Sequence, residues 1–181
     1  MRTACLVGAV LLLAAGVAAE PPPPAAMPAP AALPVHELRK TPEEWHALLA
    51  GIPQLASFAE GFTPLGASAT REALQRSRNR AGMAAWSFVD GPFSWQPAGG
   101  ERSYWIVSGA QGNRLLIAVL EPGPTPKYLA SAILLEPPAA LAIGFSASEP
   151  RQLLFTTCFG CAGQGGSIQL DPAGKPKFVY R

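Results

Sequence analysis

The chain has 181 residues, 20 of them proline and 18 glycine, and a formal charge of +2. That length suits one modest domain with additional segments. The near-neutral charge excludes a general nucleic-acid binder, which needs a basic footprint.

Residues 1–19 have the order of a secretory leader. Arg2 supplies a charged start, residues 6–17 are apolar, and Val17, Ala18 and Ala19 are small. Cleavage is expected after Ala19. The apolar run is shorter than the roughly 20 residues that span a bilayer. Cys5 precedes that run and is expected to leave with the leader. Losing Arg2 takes the 14 basic residues to 13, against 12 acidic. The expectation is a periplasmic or extracellular protein with no membrane span in its mature chain.

Residues 20–34 hold seven prolines, at 21–24, 28, 30 and 34. Each removes an amide donor and favours extended polyproline geometry. At about 3.1 Å per residue such a tether reaches roughly 40–45 Å. Residues 35–181 then form a single globular domain.

The run Thr41-Pro42-Glu43-Glu44 reads as a helix start. Thr41 caps, Pro42 sits where a missing amide costs nothing, and Glu44 completes a capping box. Trp45, Leu48 and Leu49 fall on one face, and the helix stops near Gly51. Glu43 and His46 share a face at the Glu-x-x-His spacing used by di-iron bundles. The motif occurs once, however, in a first turn where the dipole favours acids anyway. Residues 52–66 fit no single period. A second helix is predicted over 69–81, capped by Ser68 or Thr70 and ended by Gly82. It carries Arg71, Arg76, Arg78 and Arg80, a basic surface for solvent, an acidic partner or a phosphate-bearing envelope polymer.

After Gly82 the pattern becomes strand-like. Strands are predicted over 84–89, 103–108, 114–120, 127–135, 139–145, 151–157, 166–170 and 176–180. Residues 114–120 are apolar on both faces, as a central strand requires, and residues 109–113 join them to the preceding strand as a hairpin. Leu141, Ile143 and Phe145 alternate with Ala140, Ala142 and Gly144, which predicts the large side chains on the core face. No helical crossover separates the strands, so the sheet is antiparallel. The fold class is α+β: two short N-terminal helices, then a mostly antiparallel sandwich or open barrel.

Trp86, Phe88, Phe93, Trp95, Tyr104 and Trp105 crowd one stretch. Such aromatics build a sheet core or offer faces on which sugars stack. Trp95, between Pro92 and Pro97, is the ring expected at the surface and a candidate binding residue.

Cys158-Phe159-Gly160-Cys161, followed by Gly163, Gly165 and Gly166, is the sharpest local motif. A disulfide needs Cα atoms about 4.4–6.8 Å apart, so the chain must turn between the two cysteines. Gly160 suits the third position of a type II turn, and Leu153-Leu154-Phe155 and Ile168-Gln169-Leu170 then pair as hairpin arms. An exported chain favours this staple, which presents Phe159 at its tip. Thiol exchange is the alternative, although the residues after Cys161 do not begin the helix that lowers a redox thiol's pKa. Cys158-x-x-Cys161-x-Gly163 also matches half of a zinc knuckle, but a closed site needs four ligands, and His36 and His46 lie far away in sequence. A Ser–His–Asp arrangement and a dinucleotide-binding glycine fingerprint are both lacking. No cofactor or metal is expected. The sequence predicts an exported, non-catalytic binding or structural module whose partner is an unknown envelope protein or polymer; the alternative is a thiol–disulfide redox protein using Cys158 and Cys161.

Overall fold

The helix start behaves as its residues dictate. In the computed structural model, which describes residues 35–65, 86–89, 91–97, 100–135, 141–146, 149–157 and 165–180, the backbone N–H of Glu44 donates to Thr41 Oγ1 at 3.2 Å. The Glu44 carboxylate in turn accepts from the Thr41 N–H at 2.7 Å. This reciprocal cap opens helix α1 (Pro42–Ala50), with Pro42 in the first turn. Trp45 and Leu49 are buried and Leu48 packs beside them. The chain then turns at Gly51 and makes one 3₁₀ turn, Ala56–Phe58. Residues 52–66 lack a period because Ile52, Leu55, Phe58 and Phe62 all point inward from irregular backbone. The structure thus describes one α-helix where the sequence predicts two. The second, over 69–81, lies outside the described residues.

The strands follow as β1 (Val35–Glu37), β2 (Thr63–Pro64), β3 (Ser87–Val89), β4 (Phe93–Trp95), β5 (Tyr104–Gln111) and β6 (Arg114–Glu121). Then come β7 (Lys127–Leu135), β8 (Ala142–Phe145), β9 (Gln152–Thr156), β10 (Gly165–Leu170) and β11 (Pro176–Tyr180). Every pairing is antiparallel. One sheet runs β1-β4-β5-β6-β7, with β2 beside β5; the other runs β11-β10-β9-β8-β3. The fold is a β-sandwich of two antiparallel sheets, as the absence of crossovers predicts.

Strand β6 sets the layering. Leu115, Ile117 and Val119 face the second sheet and join Ile143, Leu153, Phe155 and Ile168 in the inter-sheet core. Leu116, Ala118 and Leu120 face the opposite way and pack with Trp45, Leu49, Leu55 and Phe58. All six β6 side chains are fully buried. The helix layer therefore covers the outer face of the first sheet, and the second sheet covers its inner face. Gln111 pairs with Arg114, so the hairpin before β6 turns at Gly112 and Asn113 and is tighter than a loop over 109–113.

In β8 the alternation in size has the expected meaning. Leu141 and Ile143 belong to the inter-sheet core, and Phe145 packs against it while remaining partly exposed. On the other face Gly144 lies under Phe88, its register partner. A Cβ added there would come within 2.5 Å of the Phe88 ring. Small residues on that face thus make room for an aromatic ring from the neighbouring strand.

Phe155, fully buried, should be the costlier phenylalanine to truncate. Phe155→Ala is expected to lose about 3–5 kcal/mol. Phe145→Ala should lose clearly less because its ring is already part-solvated. Urea unfolding of both variants checks the order, and equal losses would mean that the burial of Phe145 is misjudged.

Candidate functional site

The residues singled out by the sequence fall into two groups. Cys158, Phe159, Cys161, Arg71, Arg76, Arg78 and Arg80 lie outside the described residues. Their flanks do not, and they locate the cysteine motif. Leu153 pairs with Ile168, Leu154 with Ser167 and Phe155 with Gly166, so the predicted hairpin arms form. The innermost described pair is Thr156 with Gly165, and the cysteine motif falls in sequence between them. Glycines at 165 and 166 have a steric cause. A Cβ on Gly166 would sit 2.3 Å from the Val179 carbonyl oxygen and 2.6 Å from the Phe155 ring. Backbone and ring thus approach too closely at this position for any side chain.

Trp95 is described, and it is not the exposed ring expected from its flanking prolines. It is fully buried in the inter-sheet core, where its ring lies 5.7 Å from that of Tyr104. Residues 93–95 pair with β1 on one side and β5 on the other, so Phe93 and Trp95 point inward together. Pro92 and Pro97 stand just outside the paired stretch, where a strand needs no amide from them. The indole Nε1–H is buried without a hydrogen-bond partner. Such an unpaired donor costs about 1–3 kcal/mol.

The aromatic stretch does not make one platform. Phe93, Trp95 and Tyr104 fill the inter-sheet core. Trp105 lies against the helix layer, with the Lys40 ammonium 5.5 Å from the centre of its ring. His46, half of the Glu-x-x-His spacing, donates from Nδ1 to the Ala59 carbonyl at 3.1 Å and so ties α1 to the 3₁₀ segment. The Glu43 carboxyl is held below its ordinary value by hydrogen bonds from its own backbone and from Thr41. Both groups serve the helix start. Among the described residues no three His, Cys, Asp or Glu side chains gather as metal ligands would.

At one end of the sandwich, polar groups cross between the sheets. Tyr104 donates from its hydroxyl to the Gly174 carbonyl at 2.8 Å, and Arg102 reaches the Ala173 carbonyl at 3.4 Å. Arg151 donates to the Asp171 carbonyl. The Asp171 carboxylate accepts the Lys175 N–H at 2.8 Å, which closes the β10–β11 turn. The Tyr104 and Arg102 bonds clamp the turn onto the start of β5. Burial raises the Tyr104 pKa above its ordinary value; nearby Arg102 and Arg151 oppose that shift.

Among the described residues, three large apolar side chains stand exposed. Ile133 is 45 % exposed, Leu135 74 % and Tyr180 59 %. All three stand on β7 and β11, the edge strands of the two sheets, which approach each other along one flank. Sequence reasoning missed this surface because the alternation in 127–135 says which residues share a face, not whether a further strand covers it. Comparison with protein-family models, curated proteins and solved structures finds no match.

Two outcomes follow. Gly166→Ala should destabilise by about 1–3 kcal/mol, because backbone blocks one side of the new methyl group; an unchanged thermal midpoint would contradict that packing. The second concerns pH. A tyrosine whose folded pKa is raised holds its proton more tightly when folded, so its contribution is complete below the unfolded value near 10. It is lost as pH rises through the folded value. The wild-type stability advantage over Tyr104→Phe, about 0.5–1.5 kcal/mol at neutral pH, should therefore shrink in alkali. Denaturant midpoints of the two proteins across that range provide the check.

Proposed function

We propose that the chain is an exported, non-catalytic binding or structural module of the periplasm or cell envelope. The leader-like residues 1–19 and the proline-rich residues 20–34 support export and tethering. Within the domain, the polar side chains described above serve the fold. Thr41 and Glu44 cap α1, Asp171 shapes a turn, and Gln111 donates to the carbonyls of Ser57 and Glu60. The observation that carries the reading is the open apolar flank of Ile133, Leu135 and Tyr180. Folding gains little from large apolar side chains left in water, whereas contact with a partner gains from covering them. Among the described residues no helix is long and apolar enough to cross a membrane.

The deciding experiment is a thiol titration with intact mass measurement on the exported, non-reduced protein. The expected result is a chain starting at Glu20, with Cys158 and Cys161 joined and unreactive. A reduction potential above about −230 mV, together with rapid thiol exchange, would instead establish the redox alternative.

A further inference from the structure

Among the described residues the two strand orders end on β1, β7, β11 and β3, and these four are not alike. β1 and β3 are three residues each, and β11 begins at Pro176 and carries Lys177. Short length, proline and charge are the usual devices that stop a sheet edge from pairing with another chain. β7 is nine residues long, and after Lys127 it has neither charge nor proline. Its one irregularity is a register shift opposite Val119 and Leu120, near its start. Residues 130–135 pair regularly with β6 on one side only. On the other side no strand pairs with them among the described residues, and β11 of the second sheet approaches that flank.

The side chains along that row are equally particular. Ile133 and Leu135 are the register partners of Leu116 and Arg114, so they share the face that α1 covers farther in. The cover stops short of them, and both are exposed. Lys127 stands at one end of the strand, Arg114 at the other, and Lys177 on the neighbouring β11. Among the described register partners of β7, the acid is Glu121, across from Lys127. Arg114 lies over the Phe58 ring and bonds Gln111, and no carboxylate neutralises it among the described residues.

We propose that the outer edge of β7 docks an extended, acidic and apolar polypeptide segment of another protein, which adds as a further strand along residues 130–135. Backbone pairing supplies the affinity in such strand addition, and alternate side chains supply the selectivity. Here alternate residues of the segment cover Ile133 and Leu135, and acids meet the flanking cations. A second copy of the chain fits less well. Pairing six regular residues with their mates falls far short of the 20–30 residues a side of a stable interface. It would also bring together two edges that lack acids.

The inference rests on the binding-module reading, which the thiol titration tests separately; a failed edge with oxidised, inert cysteines sinks the edge alone. The test uses the full chain and a fluorescent peptide of alternating valine and glutamate, with its valine–lysine counterpart as control. Saturable binding of the glutamate peptide is expected, with weaker binding of the lysine peptide. Ile133→Asp should weaken the glutamate peptide by about tenfold or more through like-charge repulsion, without lowering the thermal midpoint. Leu135→Asp, at a more exposed position, repeats the test if Ile133→Asp folds poorly. Equal binding of both peptides, or unchanged affinity in a folded variant, overturns the proposal. So does a sedimenting dimer that Ile133→Asp dissociates, since the occupant would then be a second copy.

Discussion

A strand that is apolar on both faces must be covered on both, and β6 imposes that demand on everything else. Its odd-numbered side chains need a second sheet; its even-numbered ones need a further layer. The chain meets the first demand with β8, β9 and β10, which follow β6, and the second with α1 and the 3₁₀ segment, which precede it. Hydrophobic burial is non-directional and proportional to area, so it does not dictate which element covers which face. The asymmetry comes from chain order and from strand pairing. β1 pairs with β4 and β2 with β5, and these pairings hold the connecting helix against the outer face of the first sheet.

The same arrangement explains why polar bonds concentrate at the ends. A sandwich core offers side chains few partners, and a buried unpaired donor is costly. Tyr104 resolves this by reaching the Gly174 carbonyl at the rim while its ring stays in the core. Trp95, its register partner on β4, keeps its ring packed and leaves its Nε1–H unpaired. Neighbouring aromatics on one face thus differ by whether their polar atom reaches an end of the sheet.

What the sequence disclosed was what local chemistry determines. The capping box located α1, the two-faced run located β6, and the size alternation around Ile143 assigned faces in β8. The arms flanking the cysteine motif paired as their apolar residues implied. What it did not disclose depended on partners remote in the chain. Val35–Glu37 has no strand period of its own and becomes a strand because β4 lies beside it. Trp95 read as exposed because prolines flank it, yet pairing on both sides of residues 93–95 turns it inward. The open flank was illegible for the same reason: Ile133 and Leu135 look like core in the sequence, and only the order of strands shows that the sheet ends there. The candidate site is therefore a property of topology, invisible to motif or composition.

Strand order also bears on how such a module works. In the first sheet β1 lies at one edge and β7 at the other, with three strands between them. Adjacent strands are about 4.8 Å apart, so the two edges are separated by roughly 19 Å. The chain ahead of Val35 joins the domain at the β1 edge. The proposed tether, attached there, would pull on the side away from Ile133 and Leu135. Neither the tether nor whatever holds its far end needs to compete for the β7 edge. The proposed anchoring and docking would thus fall on opposite margins of one sheet, with β6, buried on both faces, between them.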